Sequence, residues 1–159
     1  MSRHVRTWVV AADSARARLY LHDHSEEALR PAELAGLPPL DDRVQSHTEK
    51  SDRAGRSHGS SNDGVRHAIE SHSDYRKLEK QKFSIALADA LNHARLHDEF
   101  DRLVLVAPPR SIGELRRHLS VQVQSAMEVI AKDLTKAPVE ILWDHVAGAV
   151  QRPKPVQPA

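Results

Sequence analysis

The chain has 159 residues, about one domain's length, and is large enough to bury a core without disulfide or metal staples. Its 23 Lys and Arg stand against 22 Asp and Glu, and the formal charge of +1 excludes a global field able to hold a polyanion. With no cysteine, thiol nucleophiles, disulfides and thiolate metal sites are excluded, and a cytoplasmic address is expected.

The remaining composition narrows the field further. Aromatic residues make up 4% of the chain, a poor supply for a base-stacking platform of the kind single-strand binders use. The 11 histidines make the net charge climb as pH falls through about 6.5, which assigns no function by itself. Met1 to Arg6 runs into roughly seven apolar or neutral residues before Asp13, too few for a signal segment or a membrane span. Neither export nor membrane association is expected.

In chain order, Thr7 to Ala12 reads as a buried strand, and the Asp13-Ser14 turn leads into an alternating strand over Ala15 to Leu21. Ala28 to Leu34 is a third strand, and its Pro31 requires an edge position. Gly36-Leu37-Pro38-Pro39 breaks regular structure. From Leu40 to about Ser73 no apolar period is sustained, which predicts a long polar loop at about 40–73.

From Asp74, a candidate cap, Leu78, Phe83, Leu87, Ala90, Leu91 and Ala94 fall on one stripe and predict a helix to about His97. Asp101 to Ala107 is a fully buried strand stopped by Pro108 and Pro109. Pro109 or Ser111 opens a second helix with Leu115 and Leu119 inward and a basic outer face of Arg110, Arg116, Arg117 and His118. Val121 to Ile130 fits part of a helix and part of a strand pattern, read as a helix tail followed by a strand. Lys132 to Thr135 is a turn, and Pro138 with Glu140 starts a last helix to about Val150. Residues 1–150 thus read as one α/β domain, a mixed sheet of about five strands with helices on its faces, and 151–159 as a Pro-rich tail.

Three stretches carry a family resemblance: Val9 to Tyr20, Asp52-Arg53-Ala54-Gly55-Arg56-Ser57, and Phe100 to Leu119 with its continuation to Thr135. The chain resembles the bacterial host attachment protein family, most specifically in Asp101 to Pro109 followed by Gly113-Glu114-Leu115-Arg116. That family is similar in turn to the central domain of archaeal and eukaryotic class-one peptide release factors, whose long loop carries Gly-Gly-Gln. The equivalent region here reads Ser60-Ser61-Asn62-Asp63-Gly64-Val65-Arg66-His67, with Asp63 in place of the first glycine and no glutamine after Gly64. Peptide release by the familiar mechanism is therefore not implied. By resemblance and charge, Arg53, Arg56, Gly64, Arg66, His67, Arg110, Arg116 and Arg117 are the candidate RNA- or anion-binding residues.

Each candidate has a plainer alternative. Between Asp41 and Lys80, eight Lys or Arg face eight Asp or Glu, so the loop is either an RNA-contacting arm or a solvated polyampholyte. His58, His67 and His72 with Asp63 and Glu70 offer metal-ligand chemistry at a spacing that matches no closed motif, so no metal and no cofactor are expected. His22-Asp23-His24 reads as a strand-end turn, and Asp13 as a turn residue bonding its own backbone. No Gly-x-Ser-x-Gly elbow presents a nucleophile, so no catalytic residue is assigned.

The expectation is a non-enzymatic accessory domain whose partner is the ribosome, rRNA or tRNA. The competing expectation is a protein-interaction or homo-oligomerisation module with a host-association or stress role. A small metal-dependent hydrolase ranks third.

Overall fold

A computed structural model describes residues 5–23, 27–37 and 62–151, with side chains from residue 73 onward in the last segment. The chain divides into two compact units, residues 1–37 with 81–159 and residues 38–80. The elements are β1 (Thr7–Ala12), β2 (Ala17–His22), β3 (Leu29–Ala32), α1 (Asn62–Leu96), β4 (Arg102–Ala107), α2 (Pro109–Arg116), α3 (Val121–Ser125), β5 (Met127–Ala131) and α4 (Val139–Gln151).

The five strands form one mixed sheet in the order β3-β2-β1-β4-β5. β1 pairs antiparallel with β2, which pairs antiparallel with β3, while β1–β4 and β4–β5 are parallel. The expected mixed α/β architecture is therefore the observed one. Pro31 sits in β3 at the sheet edge, where its missing N–H costs no interior ladder bond.

β1 and β4 lie in the middle of the sheet and are apolar on both faces, as buried parallel strands require. Alternation divides their side chains between two cores. Val10, Ala12, Leu103, Leu105 and Ala107 meet Leu87, Leu91, Ile112, Leu115, Leu119 and Val123. On the other face Val9, Ala11, Val104 and Val106 meet Leu142, Val146, Ala149 and Val150 of α4. Full burial of each such Val or Leu contributes about 1.5–3 kcal/mol.

Several expected boundaries move. α1 begins at Asn62, so residues 62–73 are helical rather than loop, and Asp74 lies inside the helix instead of capping it. Once the strong helix former downstream is nucleated, propagation adds one hydrogen bond per residue fixed, and a polar stretch can follow without an apolar stripe. Leu78, expected inward, is exposed, whereas Leu87 and Leu91 are fully buried. At its other end α1 closes in a Schellman arrangement: the Glu99 N–H donates to the Ala94 carbonyl at 3.0 Å and the Asp98 N–H to the Arg95 carbonyl at 3.1 Å. Asp98 holds the left-handed position at φ 58°.

The segment after α2 is a separate short helix. The Ser120 hydroxyl accepts from the Val123 N–H at 3.2 Å, while the Asn92 side-chain oxygen accepts from the Ser120 N–H at 2.8 Å. That cap, anchored to α1, overrides the strand-like alternation of Val121-Gln122-Val123-Gln124. None of the described helices is long and apolar enough to cross a membrane.

Candidate functional site

The parallel strands define the region of interest. Ala11 pairs with Val106, and Ala107 with Ala131, so β1, β4 and β5 end together at one edge of the sheet. Chain direction changes there: β1 turns back into the antiparallel half, whereas β4 leads through α2 and α3 to parallel β5. Open α/β sheets present their ligand crevices at such carboxyl ends.

Asp13 leaves β1 at this edge. Its Oδ1 accepts from the backbone N–H groups of Ala15 and Arg16, each at 2.7 Å, and its Oδ2 accepts from the Thr135 hydroxyl at 3.1 Å. The same hydroxyl lies 2.8 Å from Asp133 Oδ1, so its single proton is shared between two carboxylates. Asp13 is thus the turn residue expected, with a further tie to the segment after β5. Sequence reading missed Thr135, which is buried, because a partner so distant along the chain leaves no local signal.

α2 starts directly after β4. Pro108 stands at its N-cap, Pro109 opens the first turn, and that turn holds no acidic residue. Ser111, Ile112 and Leu115 face inward. Arg110, Arg116, Arg117 and His118 are all exposed, as the sequence predicts. Arg117 lies 3.8 Å from Glu114 with its side chain 74% exposed, a loose surface pair. Among the described residues no carboxylate lies within ion-pairing distance of Arg110 or Arg116, which leaves their charge available to a partner.

The other candidates are distributed differently. Gly64, Arg66 and His67 lie in the backbone of α1, together with Asp63, Glu70 and His72. Arg53, Arg56 and His58 lie outside the described residues. Among the described residues no three His, Asp or Glu are grouped to hold a metal ion. His22 is buried and stacks on Trp143 of α4, with ring centroids 5.4 Å apart and planes 29° apart, so it serves the core.

Fold and surface define a small α/β domain that presents positive charge on a helix starting at the carboxyl edge of its parallel strands. The chain belongs to the host attachment family, described as proteins required for attachment to host cells, whose profile matches residues 8–146. No curated protein matches it.

Proposed function

We propose that this protein is a non-enzymatic accessory domain that contacts RNA, with the ribosome as its place of action. Its binding residues are Arg110 and Arg116 on α2 with Arg117 at its C-cap, and, by resemblance, a separate set of Arg53, Arg56, Gly64, Arg66 and His67. The observation that carries this reading is the exposure of the three α2 arginines, two of them with no carboxylate within ion-pairing distance among the described residues. Exposed guanidinium groups on one short helix suit phosphate contacts, which fix position without reading sequence. The similarity of the host attachment family to release-factor central domains points in the same direction.

The test is sedimentation of the full chain with ribosomes at low and high salt, beside a variant with all three α2 arginines changed to alanine. Salt-sensitive co-sedimentation that the triple variant loses is the expected result. Absence of co-sedimentation at both salt concentrations contradicts it.

One observation favours a second reading, a protein-interaction module. On α1, Tyr75 and Leu78 are exposed at 60% and 48%, three residues apart on one helix face. A partner held there would survive nuclease treatment in a pull-down and would be lost on changing Tyr75 and Leu78 to serine.

A further inference from the structure

The carboxyl end of α1 carries two histidines one helical turn apart. His93 lies in the last turn and His97 follows the final helical residue, yet the His97 N–H still donates to the His93 carbonyl at 3.1 Å. The pair therefore keeps the i, i+4 spacing that sets both side chains on one face. Both residues are exposed, and their rings stand with centroids 4.1 Å apart and planes tilted by 35°. A helical His-x-x-x-His pair is a bidentate arm by which two imidazoles take one metal ion, and here Ala94 stands where zinc peptidases carry a glutamate base. Such an arm can hold an ion but lacks that base for hydrolysis.

A second feature decides which ring nitrogen is available. His97 Nδ1 lies 2.9 Å from the His93 carbonyl oxygen. A carbonyl only accepts, so Nδ1 carries the proton and neutral His97 keeps its lone pair on Nε2. Metal-binding histidines are oriented in this way, by a carbonyl that holds the other ring nitrogen. The His93 ring has no hydrogen-bond partner among the described residues, so its nitrogens are not committed elsewhere. Two nitrogens on one zinc ion stand no more than about 4 Å apart, because each bond is about 2.0–2.1 Å. The spacing of the two rings lies in that range.

The surrounding charge favours a cation. The pair sits at the negative end of the dipole of a 35-residue helix. Arg95, between the two histidines in sequence, is turned to the Phe100 carbonyl at 3.0 Å and to Asp98 at 3.5 Å. Asp89 is exposed one turn before His93 on the same face.

We infer that His93 and His97 chelate one late first-row divalent cation of the zinc, nickel and copper class, with water completing its coordination. Imidazole nitrogen suits these ions, whereas magnesium and calcium take oxygen ligands. No third His, Asp or Glu is grouped with the pair among the described residues, so the site is an open one. It uses no residue of the RNA-contacting set.

The test is a zinc titration of the full chain, freed of metal with a chelator, followed through the assigned imidazole resonances of His93 and His97. Zinc should shift both sets together and saturably at one ion per pair, and magnesium at equal ionic strength should leave them in place. His93→Gln and His97→Gln should each raise the zinc concentration needed at the remaining imidazole about tenfold or more. Both side chains are exposed, so both variants should fold, which amide spectra unchanged away from the end of α1 will show. His145→Gln, at an exposed histidine of α4 on the other face of the sheet, is the control and should leave the titration of the pair unchanged.

Zinc shifts confined to other histidines overturn the inference, as do equal shifts in magnesium. An undiminished response at the remaining imidazole in either glutamine variant overturns it too, and so does a control variant that weakens the titration as much as they do.

Discussion

The Thr135 hydroxyl donates to the Asp13 carboxylate at 3.1 Å, joining residues 122 positions apart in sequence. It ties the turn after β1 to the segment after β5, and so holds the carboxyl edge of the parallel strands together. A hydrogen bond to a charged group contributes about 1.5–3 kcal/mol. Thr135→Val keeps the shape of this buried side chain and deletes the hydroxyl, so urea denaturation should show a loss in that range, and Thr135→Ser a smaller one. A valine variant as stable as the parent would remove the tie from the account.

At the opposite end of the sheet, Arg102 donates from Nη2 to the Ala149 carbonyl at 2.9 Å and lies 3.7 Å from Glu128, with its side chain only 11% exposed. One guanidinium therefore joins β4, β5 and the last turn of α4. Arg102→Met preserves much of the apolar stem and should still cost about 2–4 kcal/mol, because the Glu128 charge and the Ala149 carbonyl lose their partner. Both contacts are made by Nη2, so Arg102→Lys, which keeps one charged nitrogen donor, should recover part of this loss. A lysine variant no more stable than Arg102→Met would show that the position of Nη2 itself is needed.

Asp98 presents opposing effects. It occupies the left-handed position after α1 at φ 58°, and it pairs at 3.7 Å with Arg6 and 3.5 Å with Arg95 while its side chain is 58% exposed. Exposed pairs of this kind contribute little. Asp98→Gly should therefore stabilise by about 0.5 kcal/mol in 1 M salt, and Asp98→Val should destabilise by about 1–2 kcal/mol. Thermal melts of both variants at low and high salt give the comparison, and a stabilising valine would exclude the left-handed cap.

The inward stripe of α1 can be located by two leucines. Leu91 is fully buried and Leu78 is 48% exposed. Leu91→Ala should cost about 2–5 kcal/mol, and Leu78→Ala less than about 0.5 kcal/mol. Similar losses at the two positions would mean that the buried stripe extends to Leu78.

How far the sequence could be read depended on whether local chemistry or distant contacts decided each element. β1 and β4 were legible because a strand covered on both faces must be continuously apolar, and Pro31 announced its edge position by lacking an N–H. The basic face of α2 was legible from Arg110, Arg116 and Arg117 alternating with Ile112 and Leu115. Val121 to Ile130 was legible as helix then strand; that α3 is a helix of its own was not, since the Ser120 cap and its bond to Asn92 decide it. The start of α1 at Asn62 was hidden for a related reason, because helix propagation does not require the apolar stripe by which helices are recognised. Thr135 gave no sign of its role because its contact with Asp13, 122 positions away, is set by the fold.

The central claim is that exposed arginines of α2 neutralise RNA phosphates. Its most direct measurement is the salt dependence of RNA-oligonucleotide binding, by anisotropy, for the full chain and for the variant with Arg110, Arg116 and Arg117 changed to alanine. Each phosphate neutralised on a single strand contributes about 0.7 to the slope of log K against log salt, so removing three arginines should flatten the slope by about 2. A parental slope as steep in the triple variant, or binding insensitive to salt in both, would contradict the account.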